Sequence, residues 1–218
     1  DVYWEKYPAE KNYFKLLLFL IFFPVIVEGP ISRYDQLGSQ LYEGHKFDYY
    51  KFTSGLQLIV WGLFKKMVIA DRIDGFVSVI FGSYGDYGGL AVALAILLYT
   101  IQLYTEFSGC MDIVTGCARL FGISLAKNFE QPFFSRNVNE FWRRWHITLG
   151  AFLRDYVFYP ISLSKFFQKL SKGARKHFNE YYAMTIPAAA ALFAVWFCNG
   201  IWHGAEWKYI CYGLYYYV

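Results

Sequence analysis

Charged residues are scarce in this sequence: Lys, Arg, Asp and Glu make up 17% of its 218 residues, against about 25% in an ordinary soluble domain. A chain so poor in charge and rich in apolar residues is not intrinsically disordered. The net charge of +4 is small and its cations are dispersed, so we expect no nucleic acid as a partner. The four cysteines form no CxxC pair, which argues against a disulfide scaffold, and we expect buried free thiols.

The common motifs of soluble hydrolases and nucleotide-binding enzymes are missing as well. The sequence contains no HExxH, no GxSxG and no Walker-type glycine loop, so zincin, serine-hydrolase and P-loop chemistry lack their minimum residues. Its histidines have no recognised metal-ligand spacing, and we therefore predict no metal site.

Apolar residues, by contrast, are abundant at 56%, and aromatic residues reach 22%. This composition predicts an all-α, polytopic integral membrane helical bundle with about five to seven membrane segments. We expect the basic stretch 165–176 to be a polar loop on the cytoplasmic side, because positive charge collects there. The predicted segments are residues 13–27, 52–81, 88–107, 113–125, 138–161, 181–202 and 207–218.

A first candidate site is the stretch 139–149, NEFWRRWHITL. On one continuous helix its aromatic residues would form an apolar face, and His146 would join Arg143 on a polar face. Two interpretations stay open: the polar face lines a pathway, or the helix lies at the interface and its arginines meet lipid phosphates.

A second candidate site lies at the end of the span 181–202, where His203 closes an apolar segment. On a continuing helix Asn199 lies one turn before His203, and Glu206 lies within side-chain reach after it. An imidazole with an ordinary pKa of about 6.5 can take a proton near neutral pH. This arrangement suits a general base that acts on a hydroxyl. The alternative is a structural histidine with its hydrogen bonds satisfied, which is common on apolar helices.

At these two histidines the sequence resembles the membrane-bound O-acyltransferase family, in particular its bacterial branch that modifies alginate and teichoic acid. The resemblance runs from about residue 19 to residue 207. It therefore implies that residues 1–218 are a single membrane domain and an interior or truncated part of a longer member of that family. The similar blocks, in order, are FFPVIVEGPISRY, GLFKKMVIAD, QLYTEFSGCMD, NFEQPFFS, NEFWRRWHITLGAFLRDYVFYP and GIWHGAEW.

The resemblance implies transfer of an acyl group, with acetyl favoured, from a thioester donor to hydroxyls of a cell-surface polysaccharide. His203 matches the catalytic histidine and His146 the second characteristic histidine. Asn199 or the Trp202 N–H would stabilise the oxyanion. We expect Arg143 and Asp112 in supporting roles.

No bound cofactor is implied, because the thioester, an acyl-CoA or acyl carrier protein, is a substrate. The implied partners are the lipid bilayer, the cytoplasmic acyl donor or carrier protein, and other polysaccharide-modifying proteins. The implied location is the bacterial cytoplasmic membrane, with several passes.

Three alternatives remain open at this stage. The transferred group could be D-alanyl, for teichoic acid modification. The chain could instead be a transporter with a proton relay through intramembrane acids and histidines, here Glu106, Asp112, His146 and His203. It could also be a catalytically silent scaffold.

Overall fold

The computed structural model describes residues 1–177 and 179–217. Within these residues the chain is helical and has no strand, which confirms the all-α prediction. The chain divides into two compact units, Asp1–Phe134 and Ser135–Val218, and each is described by itself. The expectation of a single membrane domain stays a prediction.

Six α-helices form the first unit. The segment predicted at 13–27 is two short helices, because Pro24 enters the first turn of the second one, where its missing N–H and fixed φ begin a new helix. Asn12 and Asp48 cap α1 and α4 with their side-chain oxygens. A π-helix, Phe64–Ala70, joins α4 to α5. The helices are α1 Tyr13–Leu20, α2 Phe23–Ile26, α3 Tyr34–Tyr42, α4 Tyr49–Leu63, α5 Asp71–Gly82 and α6 Gly89–Leu120.

Three helices in the described residues are long and apolar enough to cross a membrane: Tyr49–Gly82, Gly89–Leu120 and Glu180–His203. Only 17%, 17% and 22% of their most apolar windows are buried within the chain. Apolar surface left uncovered to this extent fits helices that face lipid or further helices. The segments predicted at 88–107 and 113–125 are one continuous helix, α6.

Close contact between α4 and α6 depends on glycine. A Cβ atom on Gly62 would lie 2.5 Å from the carbonyl oxygen of Gly109, and one on Gly55 would lie 2.9 Å from that of Gly116. Small residues let membrane helices approach until their backbones touch, which maximises packing where no hydrophobic effect drives association. These glycines therefore bring polar residues of the two spans within bonding distance.

Six α-helices lie among the described residues of the second unit, with a π-helix at Arg154–Phe158 between the second and the third of them. The prediction of one continuous helix over 138–161 is wrong, since the helix breaks between α7 and α8. The prediction of a polar loop over 165–176 is also wrong: these residues form α10, and most of them favour helix. The helices are α7 Val138–Arg144, α8 Ile147–Leu153, α9 Tyr159–Ser162, α10 Lys165–His177, α11 Glu180–His203 and α12 Trp207–Tyr217.

Helix α11 ends at His203 because Gly204 adopts a φ of 154°, a conformation that glycine tolerates. The helix therefore does not continue to Glu206, which was the condition for that carboxylate to lie one turn after His203. Glu206 instead pairs with Lys208, with Oε2 and Nζ 2.9 Å apart. The four cysteines are free thiols, as expected. The expectation that they are buried is wrong, because three are half-buried and Cys211 is exposed.

Candidate active site

His146 occupies the break between α7 and α8. Its backbone lies in the left-handed region, with φ 45° and ψ 52°, and Trp145 before it is extended. A left-handed residue other than glycine costs on the order of 1–2 kcal/mol, and such strain concentrates at functional sites. Because of this break, the His146 side chain does not point in the direction that a continuous helix would give it.

The break sets His146 into a pocket of about 130 Å³ in the second unit. His203, from the end of α11, lines the same pocket together with Asn199, one helical turn earlier. The structure thus places three of the candidate residues named from the sequence in one pocket, and their functional roles stay a prediction. The remaining lining is mostly aromatic and aliphatic: Trp142, Trp145, Leu149, Gly150, Leu153, Val195, Trp196 and Tyr212.

Asn199 is the polar group in this pocket whose bonding is incomplete. The residue is only 8% exposed, and its Oδ1 has no hydrogen-bond partner among the described residues. A buried amide oxygen without a partner costs about 1–3 kcal/mol, so native proteins rarely keep one without a reason. An acceptor beside two imidazoles can receive a hydrogen bond from a ligand that enters the pocket.

Aromatic rings join the helices that carry the two histidines. The Trp142 ring of α7 meets the Trp196 ring of α11 edge-on, with 5.0 Å between centroids, and Tyr216 of α12 stacks on Trp196 at 5.3 Å. Tyr212 meets the His203 ring edge-on at 5.7 Å. Trp196 and Tyr212 cannot be recognised as pocket residues from the sequence, because their spacing is ordinary for an apolar helix.

Burial and, to a smaller extent, the nearby charge of His203 together lower the pKa of His146 to about 4. Its ordinary value is about 6.5. The His146 imidazole is therefore neutral at neutral pH, with one ring nitrogen as donor and the other as acceptor. A neutral imidazole suits hydrogen bonding to a substrate better than electrostatic attraction of an anion.

The other predicted site residues do not line this pocket. Arg143 is exposed on α7, and Trp202 is 56% exposed on α11. Asp112 belongs to the first unit, where its Oδ2 lies 2.6 Å from Lys65 Nζ. The geometry of the second unit therefore brings together His146, Asn199 and His203.

Charged side chains between the two spans of the first unit form a separate polar network. Lys65 Nζ also donates to Ser108 Oγ at 2.9 Å. The neighbouring Lys66 lies 2.7 Å from both Asp71 and Glu106. The π-helix turns these adjacent lysines so that each reaches a carboxylate of α6, which offsets the cost of charge between apolar helices.

Potential metal ligands do not gather anywhere in the part of the chain that the structure describes. No three His, Cys, Asp or Glu side chains there are close enough to hold a metal ion.

The sequence matches the model of the membrane-bound O-acyltransferase family over residues 9–175. The chain belongs to this family. The family match covers His146 and ends before α11, and the likeness to individual members continues through His203.

Several curated members of the family are similar to the chain over most of its length. It is 35% identical to the "Probable alginate O-acetylase AlgI" of Pseudomonas putida, over 98% of this chain and 40% of that protein. It is 33% identical to the peptidoglycan O-acetyltransferase of Helicobacter pylori, over 90% of this chain and 34% of that protein. The teichoic acid D-alanyltransferase of Bacillus subtilis is 30% identical, over 92% of this chain and 49% of that protein.

The chain thus spans about two fifths of the length of its alginate O-acetylase relatives. These relatives act on different polymers and are named for two acyl groups, acetyl and D-alanyl. Membership of the family therefore does not by itself assign a polymer or an acyl group to this chain.

Proposed function

We propose that the chain is the catalytic part of an integral-membrane O-acyltransferase that moves an acetyl group from a thioester donor to hydroxyls of a cell-surface polysaccharide. The observation that carries the proposal is the shared pocket of His146, His203 and the unpartnered oxygen of Asn199. The donor is acyl-CoA or an acyl carrier protein, presented at the cytoplasmic side of the bacterial cytoplasmic membrane. Other polysaccharide-modifying proteins are the proposed partners.

In this proposal His203 is the general base. Its imidazole takes the proton of the acceptor hydroxyl as the oxygen attacks the thioester carbonyl and the new C–O bond forms. The tetrahedral intermediate then collapses, the C–S bond breaks, and the imidazolium returns the proton to the leaving thiolate. The reaction consumes one hydroxyl and one thioester and yields one ester and one thiol.

His146 and Asn199 have proposed binding roles in the same pocket. The neutral His146 donates one hydrogen bond towards the carbonyl oxygen, where negative charge develops. Asn199 Oδ1 accepts a hydrogen bond from a second hydroxyl of the acceptor sugar and so orients that sugar, because the single proton of the reacting hydroxyl goes to His203. The Trp202 N–H, Arg143 and Asp112 remain proposals without support from the pocket, because none of them lines it.

Acetyl is favoured over D-alanyl by the chemistry of the pocket wall. A D-alanyl group carries an ammonium, which binding sites usually pair with a carboxylate. None of the pocket-lining side chains within residues 1–177 and 179–217 is acidic, and most are apolar. The methyl of an acetyl group fits such a wall without an unpaired charge.

The transporter alternative receives no support from the acids that suggested it. Glu106 and Asp112 are engaged by Lys66 and Lys65, so each carboxylate already has its counter-ion. Ion pairs of this kind connect helices, which is a structural role.

The test replaces His203 by alanine in the full-length gene in its native host and identifies, by mass spectrometry, the acids that mild base releases from surface polymers. We expect loss of released acetate. The matched control is His177→Ala, which removes an exposed imidazole outside the pocket. Loss of D-alanine instead would assign the teichoic acid reaction. Unchanged esters at normal protein abundance would refute the catalytic role of His203 and favour a scaffold.

A further inference from the structure

Helix α10 is strongly amphipathic, with its charged residues on one side and its apolar residues on the other. Its 13 residues, KFFQKLSKGARKH, contain no acid. At about 100° per residue, Lys165, Lys169 and Lys176 fall on one side, with Lys172 and Arg175 next to them. The apolar residues fall on the opposite side: Phe166, Phe167, Leu170 and Ala174.

Only part of this apolar side is buried against other helices of the second unit. Ala174 is 6% exposed, and the neighbouring Ser171 donates a hydrogen bond of 2.6 Å to the carbonyl oxygen of Ala183 in α11. Phe166 is 69% exposed and Leu170, one turn later, is 40% exposed. An uncovered apolar pair therefore lies between the edge packed on α11 and the basic side.

The position of α10 in the chain holds it at the edge of the membrane. Asn179 caps α11, a candidate membrane span, directly after the end of α10. Arg175 pairs with Glu180 at 2.6 Å, across the connection between the two helices. A helix with five lysine and arginine side chains cannot lie in hydrocarbon at acceptable cost, so the headgroup layer is the place left for it.

We propose that α10 lies in the headgroup layer and binds the phosphate groups of anionic phospholipids. Phe166 and Leu170 enter the outer part of the acyl chains, while the lysines extend to the phosphates. A soluble acidic protein would match the charge, but it would leave this apolar pair beside the lipid unexplained. The proposal is independent of the acyl-transfer reaction and concerns where the second unit is anchored.

The depth of α10 can be measured on the full-length protein in lipid nanodiscs, with its other cysteines replaced by alanine. A nitroxide label is attached at Leu170→Cys or, as the matched control one residue away, at Lys169→Cys. We expect the label at 170 to collide mainly with oxygen, as labels in lipid do, and the label at 169 mainly with a water-soluble nickel chelate. A label at 170 that meets the chelate freely, or that neither reagent reaches, overturns the proposal.

Lipid choice is tested with the double variant Lys169→Gln/Lys172→Gln in nanodiscs of phosphatidylcholine and phosphatidylglycerol. Mass spectrometry of the lipids retained on the protein gives the preference for the anionic one. A juxtamembrane lysine changes such binding by about fivefold, so we expect the preference to fall at least fivefold. The control is Lys11→Gln/Lys46→Gln, which removes the same charge from exposed lysines of the first unit.

Two outcomes oppose the proposal. An equal preference for phosphatidylglycerol in both double variants would show that α10 does not bind it. An unchanged lipid preference together with lost activity towards an acidic carrier protein would assign the helix to that protein instead.

Discussion

Lys65 Nζ lies 2.6 Å from Asp112 Oδ2, and the two side chains come from two helices that are each apolar enough to span a membrane. Lys65 is 8% exposed. The pair therefore joins two spans through charges that are largely removed from water. The ion pair can form because two glycine contacts between the same helices bring their backbones close together.

Removal of one member of this pair should destabilise the protein strongly. Lys65→Met leaves a carboxylate without its counter-ion between two apolar helices, a change that costs about 3–5 kcal/mol in comparable sites. We expect the double variant Lys65→Met/Asp112→Leu to recover much of the loss. The measurement is the thermal unfolding midpoint in detergent. As control, Lys127→Met breaks an exposed pair with Glu130 and should change stability by about 1 kcal/mol or less. Equal effects of the two single variants would contradict the account.

The glycine contact of the two spans can be tested by a pair of alanine variants. Gly62→Ala places a Cβ atom 2.5 Å from the carbonyl oxygen of Gly109, so the helices must separate, at a cost of about 1–3 kcal/mol. Gly75→Ala meets nothing within 4 Å in α5 and should stabilise the helix by about 0.5–1 kcal/mol. Opposite shifts of the unfolding midpoint are expected, and shifts of the same sign would argue against close packing at Gly62.

Asn199 should matter for activity and not for stability. Since its Oδ1 has no partner among the described residues, Asn199→Leu removes an unsatisfied group, and the unfolding midpoint should stay or rise. The rate with the acceptor polymer should fall about tenfold, the value of one lost hydrogen bond of about 1–1.5 kcal/mol.

Asn179→Leu is the matched control for this variant. Asn179 caps α11 by accepting from the backbone N–H of Tyr182. Its loss should lower stability by about 1 kcal/mol and leave the activity per folded molecule unchanged. A lower unfolding midpoint for Asn199→Leu, with normal activity, would reduce Asn199 to a structural residue.

The buried His146 predicts a specific dependence of stability on pH. Its pKa is about 4 in the folded protein, with burial as the main cause, against about 6.5 when unfolded. The unfolded chain therefore binds more protons between these values, and stability falls as the pH drops from 6.5 towards 4. Above 6.5 the residue contributes no pH dependence. Unfolding midpoints measured at several pH values should decline less steeply on acidification in His146→Asn than in the wild type, and identical slopes would contradict the assignment.

Much of the candidate site could be predicted from the sequence. The apolar run before His203 identifies it as the end of a membrane span, and α11 ends at that residue in the structure. The one-turn spacing of Asn199 and His203 predicts a shared face, and both line the pocket. The blocks around both histidines carried the family resemblance, which the family match confirms.

The break at His146 could not be predicted in the same way. The residues from 138 to 161 have helical spacing on both sides of the break. A left-handed conformation at a histidine does not change the spacing of apolar residues, so the sequence pattern does not reveal it. Tyr212 reaches His203 only because α12 turns back at Gly204. The charge of the stretch 165–176 predicts a polar loop, but its amphipathic spacing also favours a helix, and the structure has α10 there.

Apolar runs and local motifs are properties of neighbouring residues, so the helical membrane character of this protein, its family and the two histidines of the candidate site could be named from them alone. Three features are visible only in the folded chain: which lysine pairs with which carboxylate, the helix break at His146, and the ring that meets His203. Those features depend on how distant segments pack against each other, and side-chain spacing along one helix does not encode the partner it meets.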